Sequence, residues 1–167
     1  MKGIVIYASC YGSTKTYAEW IGEETGFAPV SYKDVRDTDI QSADAVVIGS
    51  WVLAHRLFLA KWFMEYKDLL MPKKLCVYSV SGARPGDREL DGVFAASMDE
   101  ALLRHCRTYQ FGGRRETKKM SGFHRFMMFI AATFIEKDKE KKAEMKKYVD
   151  NVDRQYIEPL VKDLRTA

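Results

Sequence analysis

Short apolar runs alternate with amphipathic stretches along the first two thirds of the chain. Runs rich in branched and aromatic residues are typical of strands that are covered on both faces of a parallel sheet. Such runs lie at 3–9, 43–49, 74–81 and 107–112, and a shorter one at 29–35 suits a sheet edge. Between them, apolar residues at helical spacing predict one helix that ends near Gly26 and two others over 57–70 and 93–105. This alternation predicts βαβ units and an α/β fold, with a five-stranded parallel sheet and helices on both faces.

The last third of the chain has a different pattern. Residues 113–122 are basic and flanked by glycine, which predicts a loop, and 123–135 form an apolar, helix-like run. Residues 136–147 are almost wholly charged. Apolar residues at helical spacing from 148 to 164 then predict a final helix on the sheet, with a kink or an early break at Pro159.

Composition limits the class of protein. A length of 167 residues with 47% hydrophobic residues fits one domain, 1–167, with a real core. Lys and Arg number 27 against 23 Asp and Glu, and a net charge of +4 is too mild to indicate nucleic acid or a membrane, so we expect no nucleic-acid partner. The three cysteines, Cys10, Cys76 and Cys106, lack metal-binding spacing and fit reduced thiols in a cytoplasmic protein. The apolar N-terminal run is too short for a signal peptide, and no stretch is long enough to cross a bilayer. We also expect no metal site.

The chemistry is expected at one edge of the predicted sheet. Ligands of open parallel sheets bind beside the carboxyl ends of the strands. Three loops should meet there, at 9–14, 49–56 and 81–88, because they follow the first, third and fourth predicted strands. These loops contain the candidate binding residues.

The first loop has the composition of a phosphate site. Ser9, Ser13 and Thr14 offer hydroxyl donors, Gly12 allows close approach of the backbone, and the next helix presents unpaired N–H groups. The loop lacks the Gly-Lys-Ser/Thr of nucleoside triphosphatases and the spaced glycines of dinucleotide sites. What remains is a pocket for one terminal phosphate held by neutral donors. A capped strand-to-helix turn with no ligand would have the same composition.

The motif Ser9-x-Tyr11-Gly12-Ser13-Thr14 after a buried strand resembles the phosphate loop of flavodoxins. The similarity extends over nearly the whole chain in the order and length of its elements. It implies a flavodoxin-like three-layer sandwich that binds one FMN noncovalently. Together with the other two loops, it gives the residues expected at the cofactor, which are Ser9, Cys10, Tyr11, Gly12, Ser13, Thr14, Ser50, Trp51, Val52, Leu53, Ser81, Gly82, Ala83 and Arg84.

The second and third loops would frame the flavin ring. Trp51 directly follows a predicted strand end, where an indole can stack on an isoalloxazine, although it could instead fill a hydrophobic hole. His55 and Arg56 could neutralise a reduced flavin or lie in solvent. The third loop, 81–88, has no aromatic residue, whereas many flavodoxins offer a second one there. We therefore expect one flavin face to be more open, with room for a substrate.

Within this superfamily the chain looks most like menaquinone-dependent protoporphyrinogen dehydrogenases. The likeness rests on Phe111-Gly112-Gly113-Arg114 and on the segment Phe123-His124-Arg125-Phe126-Met127-Met128. It implies an oxidoreductase that passes electrons from a tetrapyrrole to a quinone. The alternative is a small electron shuttle that serves a redox partner and has no substrate of its own, although such shuttles are usually acidic. A binding module without flavin is a third alternative. No side chain is identified from the sequence as a general acid or base.

The apolar run at 123–135 also suggests a partner surface. It is too short to span a bilayer, and with its basic flanks it suits a helix lying on the inner face of the cell membrane. A buried helix, a lid over the flavin or a homodimer contact would use the same composition. These alternatives stay open at the level of sequence.

Overall fold

The computed structural model describes residues 1–115 and 148–166. Its central sheet has five parallel strands, which are β1 (Gly3–Ala8), β2 (Ala28–Ser31), β3 (Ala45–Leu53), β5 (Lys74–Ser81) and β6 (Arg107–Gly112). Their spatial order is β2-β1-β3-β5-β6, and β4 (Arg56–Leu57) pairs antiparallel with the end of β3. A separate antiparallel pair joins β7 (Arg114–Arg115) to β8 (Val149–Asp150). Strand order reverses between β1 and β3, so the parallel α/β fold predicted from the sequence is confirmed.

Helices cover both faces of this sheet. They are α1 (Ser13–Thr25), α2 (Asp37–Gln41), α3 (Ala60–Glu65), α4 (Lys67–Leu70), α5 (Glu100–His105) and α6 (Glu158–Arg165), with 3-10 turns at Arg88–Leu90 and Arg154–Ile157. One buried cluster lies between the sheet and α1 with α6, and a second lies between the sheet and α2 to α5. The two clusters place the sheet in the middle of three layers.

The first of these clusters contains a group of large aromatic residues. Tyr78 of β5 stacks on Phe111 of β6 at 4.9 Å between ring centroids, and Tyr17 of α1 lies 4.9 Å from Phe111. Gly49 of β3 makes room for them, because a Cβ at this position would lie 2.1 Å from the Tyr78 ring. The close approach explains why a glycine interrupts an otherwise branched strand.

Two predicted helices are shorter than their apolar patterns. The stretch 57–70 contains the end of the β3–β4 hairpin followed by α3 and α4, which are separated at Tyr66. The stretch 93–105 becomes helical only at Glu100, where the Asp99 carboxylate caps α5 by accepting the Leu102 N–H at 2.9 Å. The longer single helices predicted from the sequence were therefore wrong.

Smaller differences concern strand ends and a proline. The strands predicted at 74–81 and 107–112 have those bounds in the structure. The strand predicted at 43–49 runs instead from Ala45 to Leu53, and the edge strand is only Ala28–Ser31. The final helix predicted over 148–164 begins only at Glu158, after β8 and the 3-10 turn Arg154–Ile157, so the apolar stretch is interrupted before Pro159. Pro159 lies in the first turn of α6, where its missing N–H has no helical acceptor to lose, and it does not kink the helix.

No helix within 1–115 or 148–166 is long and apolar enough to cross a membrane. The run at 123–135 and the charged stretch at 136–147 lie outside the described residues. The lipid, lid and dimer hypotheses for 123–135 therefore stay predictions.

Candidate functional site

The three predicted loops meet at the carboxyl edge of the sheet. They follow β1, β3 and β5, which are neighbours in the strand order. The tip of the β3–β4 hairpin contacts the 3-10 turn at the end of the third loop, since the Nδ1 atom of His55 lies 3.2 Å from the Glu89 carbonyl oxygen. The segment after β6 reaches the first loop, where the Arg114 N–H donates to the Ser13 hydroxyl at 3.1 Å. The fold thus brings together residues from the whole length of the described chain.

The first loop ends at a helix N-terminus without a side-chain cap. Gly12 has a φ of 95°, which favours glycine, and its carbonyl accepts the Thr16 N–H at 2.9 Å to begin α1. The Gly12 N–H donates to the Ser9 hydroxyl at 3.1 Å. The next three amides have no helical acceptor, and the first turn of α1 contains no acidic residue. These amides and the positive end of the helix dipole therefore favour an anion.

Buried contacts hold this loop from within the fold. Thr14 is buried, and its carbonyl accepts a hydrogen bond from the Tyr78 hydroxyl at 3.0 Å. The Tyr17 hydroxyl donates to the Gly112 carbonyl at 2.6 Å and accepts the Asp153 N–H at 3.1 Å. Together the two tyrosines connect α1 to β5, to β6 and to the segment before α6.

Cys10 and Tyr11 are both half-buried in the first loop. Burial, together with a hydrogen bond and Coulombic repulsion involving Cys10, raises the pKa of Tyr11 to about 12. Tyr11 consequently stays neutral at physiological pH and adds no negative charge beside the amides.

The residues of this loop fit a phosphate monoester. A Cβ at Gly12 would meet no atom within 4 Å, so the backbone there is open to approach. The donors are hydroxyls and main-chain amides, and Ser9 is exposed while Ser13 is half-buried. The arrangement suits a terminal phosphate bound at the start of α1.

The second loop is a strand hairpin with an aromatic cluster. Trp51 stacks on Phe58 at 4.9 Å between centroids and 18° between planes, and Phe58 meets Tyr32 edge-on at 5.8 Å. Phe58 thus covers one face of the indole, and a flavin could stack on the opposite face only. The sequence analysis missed Phe58. Only the hairpin brings it against Trp51, and the local pattern predicts a loop and a helix in place of that hairpin.

The other predicted residues of this hairpin differ in exposure. The Ser50 hydroxyl is fully buried, where it accepts the Leu59 N–H at 3.1 Å and donates to the Trp51 carbonyl at 3.2 Å. Val52 is half-buried, and Leu53 is 42% exposed. The Ser50 hydroxyl therefore supports the hairpin, while Trp51 and Leu53 lie nearer the surface.

The third loop is held by residues from two other segments. Asn151 donates to the Gly82 carbonyl at 3.1 Å, and the Gly113 N–H donates to the Ser81 carbonyl at 2.5 Å. Within the loop, the Ser81 hydroxyl accepts the Ala83 N–H at 3.1 Å, and Arg84 is exposed. Asn151 is a further residue that the sequence analysis missed, since no local pattern links it to a loop so far away in the chain.

The titratable residues of the described chain offer no site for a metal ion. Among 1–115 and 148–166, no group of three or more His, Cys, Asp or Glu side chains converges.

Comparisons with known proteins agree with this architecture. No curated protein matches the chain. Solved structures that resemble it include a WrbA-like flavodoxin from Agrobacterium tumefaciens, with a TM-score of 0.51 and 14% identity over 73% of this chain and 86% of that one. The two-electron reduced flavodoxin of Megasphaera elsdenii has a TM-score of 0.52 and 17% identity over 65% and 82% of the two chains. The Trp repressor binding protein of Bacillus subtilis has a TM-score of 0.53 and 13% identity over 68% and 86%.

At these identities the solved structures establish the fold alone. A family model described as the flavodoxin domain matches residues 4–146, which is most of the chain. The uncapped start of α1 and the carboxyl ends of the five parallel strands lie within that match. The chain therefore belongs to the flavodoxin family and is a flavodoxin-type flavoprotein.

Proposed function

We propose that this chain binds one FMN noncovalently at the carboxyl edge of the sheet and transfers electrons through it. The observation that carries the proposal is the uncapped, acid-free N-terminus of α1 behind an open Gly12. When bound, FMN supplies a ring that accepts and releases one or two electrons. Ser9, Ser13 and Thr14 would hold its phosphate, and Trp51 would lie against the ring.

The chain's own residues would orient and tune the cofactor. Tyr78 fixes the Thr14 carbonyl, so the first turn of α1 cannot shift relative to β5 without losing a buried hydrogen bond. Arg56, exposed beside His55 at the hairpin tip, would place positive charge near the edge of the ring. Positive charge there favours an anionic reduced flavin.

A second candidate is oxidation of a small donor such as protoporphyrinogen, with a quinone as acceptor. The third loop favours it, because Ser81, Gly82, Ala83 and Arg84 bring no aromatic ring to cover the flavin. The segment at 123–135, on which this hypothesis also rests, lies outside the described residues. Anaerobic mixing of the FMN-loaded protein with protoporphyrinogen separates the candidates. Bleaching of the flavin would favour the oxidoreductase, and bleaching by a generic reductase alone would favour the shuttle.

Two glycines of α1 allow a matched test of the phosphate site. Gly12 and Gly26 lie at opposite ends of the helix, both have positive φ, and a Cβ at either would meet nothing within 4 Å. Gly12→Ala and Gly26→Ala should therefore cost similar stability, about 1 kcal/mol each. Only Gly12→Ala should weaken FMN binding, by about tenfold or more, because its methyl group and altered backbone lie at the phosphate.

The measurement is titration of FMN fluorescence quenching, with urea unfolding of the apoproteins as the control for stability. Equal FMN affinities of the two variants would reject the placement of the phosphate at the start of α1. A wild-type chain that leaves FMN fluorescence unchanged would reject the proposed cofactor.

A further inference from the structure

A pair of opposite charges lies beside the first loop. The main-chain N–H of Arg114 donates to the Ser13 hydroxyl at 3.1 Å, and the Nε of the same arginine donates to the Asp150 carboxylate at 2.9 Å. The pair joins β7 to β8, where Arg114 and Asp150 are cross-strand partners. About half of the Arg114 side chain is exposed, at 46%, against 32% for Asp150.

The hydrogen bond to Ser13 prepares that hydroxyl to donate. A serine hydroxyl has one proton and accepts through its lone pairs. Because the Arg114 N–H already occupies an acceptor position of Ser13, the Ser13 proton is available for another acceptor, such as a phosphate oxygen. The guanidinium belongs to the same residue that makes this contact, so a positively charged side chain starts from a main-chain neighbour of the first loop.

We propose that Arg114, balanced by Asp150, supplies the positive charge by which this site selects a phosphorylated flavin over riboflavin. The proposal rests on the proposed function, namely that FMN binds at the start of α1. Lys15, in the first turn of the same helix, instead pairs with Glu19 at 3.6 Å. The negative charge of Asp150 offsets part of the attraction, which keeps the site from being a strong general anion binder.

Three variants each remove one charge and leave the main chain intact, and a fourth, Arg114→Lys, keeps the positive charge at position 114. Arg114→Gln removes the positive charge and keeps the N–H that reaches Ser13. Asp150→Asn removes the offsetting charge and keeps an oxygen for the Val152 N–H, which the carboxylate accepts at 3.2 Å. Arg104→Gln is the matched control. Arg104 pairs with Glu100 on α5, and α5 leads into the start of β6, at the sheet edge opposite the first loop.

Dissociation constants for FMN and for riboflavin are measured by fluorescence quenching at low and high salt, with thermal unfolding to confirm the fold. Arg114→Gln should weaken FMN about tenfold and change riboflavin by less than about twofold. Asp150→Asn should tighten FMN about threefold, a direction that loss of structure cannot produce. Arg114→Lys should restore most of the FMN preference, and Arg104→Gln should change neither constant.

The outcomes separate this proposal from the one on which it rests. If Arg114→Gln weakens both flavins equally, or neither, while the wild type binds FMN, the charge is not the selector and only this inference fails. If Asp150→Asn weakens FMN, the offsetting role is rejected. If the wild type binds neither flavin, the proposed function itself fails.

Discussion

Two buried hydroxyl groups determine how the first loop is held. Tyr17 makes two hydrogen bonds through its hydroxyl, to the Gly112 carbonyl and from the Asp153 N–H, whereas Tyr78 makes one, to the Thr14 carbonyl. Burial raises the pKa of both tyrosines, so each stays protonated and can donate throughout the physiological range. The loop is thus held by neutral groups, which add no negative charge that would repel an anion.

Removing each hydroxyl should cost stability in proportion to the bonds lost. Tyr78→Phe should lower the free energy of unfolding by about 1 kcal/mol, and Tyr17→Phe by about 2 kcal/mol, because it leaves both a carbonyl and an N–H without a partner. Urea unfolding of the two apoproteins measures the difference. A larger loss for Tyr78→Phe than for Tyr17→Phe would contradict this account of the contacts.

At the scale of the element, the β3–β4 hairpin is the feature that the sequence concealed. Its two turn residues, Ala54 and His55, have φ values of 48° and 60°, a conformation usually occupied by glycine or asparagine. Without such a residue the turn has no signal in the sequence, and the apolar spacing over 57–70 predicts one helix. The hairpin also brings Phe58 against Trp51, which explains why the local pattern missed that stacked pair.

The same substitution should have opposite effects in the hairpin and in a helix. Ala54→Gly should raise the free energy of unfolding by about 0.5 kcal/mol, since glycine adopts a positive φ without the penalty that a Cβ imposes. Ala101→Gly, at an exposed position of α5, should lower it by about 0.5 kcal/mol because glycine disfavours a helix. Thermal or urea unfolding measures both, and destabilisation by Ala54→Gly would show that the turn is not as described.

The sequence predicted elements better than it predicted what joins them. β5 and β6 were predicted with their observed ends, because short runs with branched or aromatic residues are bounded there by a proline or a glycine. The loop from Ser9 to Thr14 could be singled out because its motif is local. Asn151 at the third loop and Arg114 at Ser13 could not, because only the folded topology brings those segments to the sheet edge.

At the scale of the whole molecule, α6 closes the fold by joining the C-terminal segment to the far strand of the sheet. The Asp163 carboxylate accepts the Tyr109 hydroxyl at 2.5 Å and pairs with Arg107 at 2.6 Å. The ammonium of Lys74 donates to the Thr166 carbonyl at 2.7 Å. These contacts fasten the helix that, with α1, covers one face of the sheet.

Acid should loosen this attachment. The hydrogen bonds from Tyr109 and then Arg107 lower the pKa of Asp163 in the folded chain. The unfolded chain therefore binds a proton to this carboxylate more readily, and its contribution to stability is full above the unfolded pKa and is lost as pH falls through the folded one. The free energy of unfolding should thus decline below about pH 4, the usual range of an aspartate.

Asp163→Asn isolates that contribution. The variant should be less stable than the wild type at pH 7 and should lose less stability between pH 5 and pH 2, because it has no carboxylate to protonate at this contact. Asp91→Asn, at an exposed position after the turn Arg88–Leu90, removes the same charge without a link to α6 and serves as the control. Urea midpoints across this pH range provide the comparison. If the wild type and Asp163→Asn lost stability in parallel on acidification, the acid sensitivity of the fold would have to reside in carboxylates other than the one that joins α6 to β6.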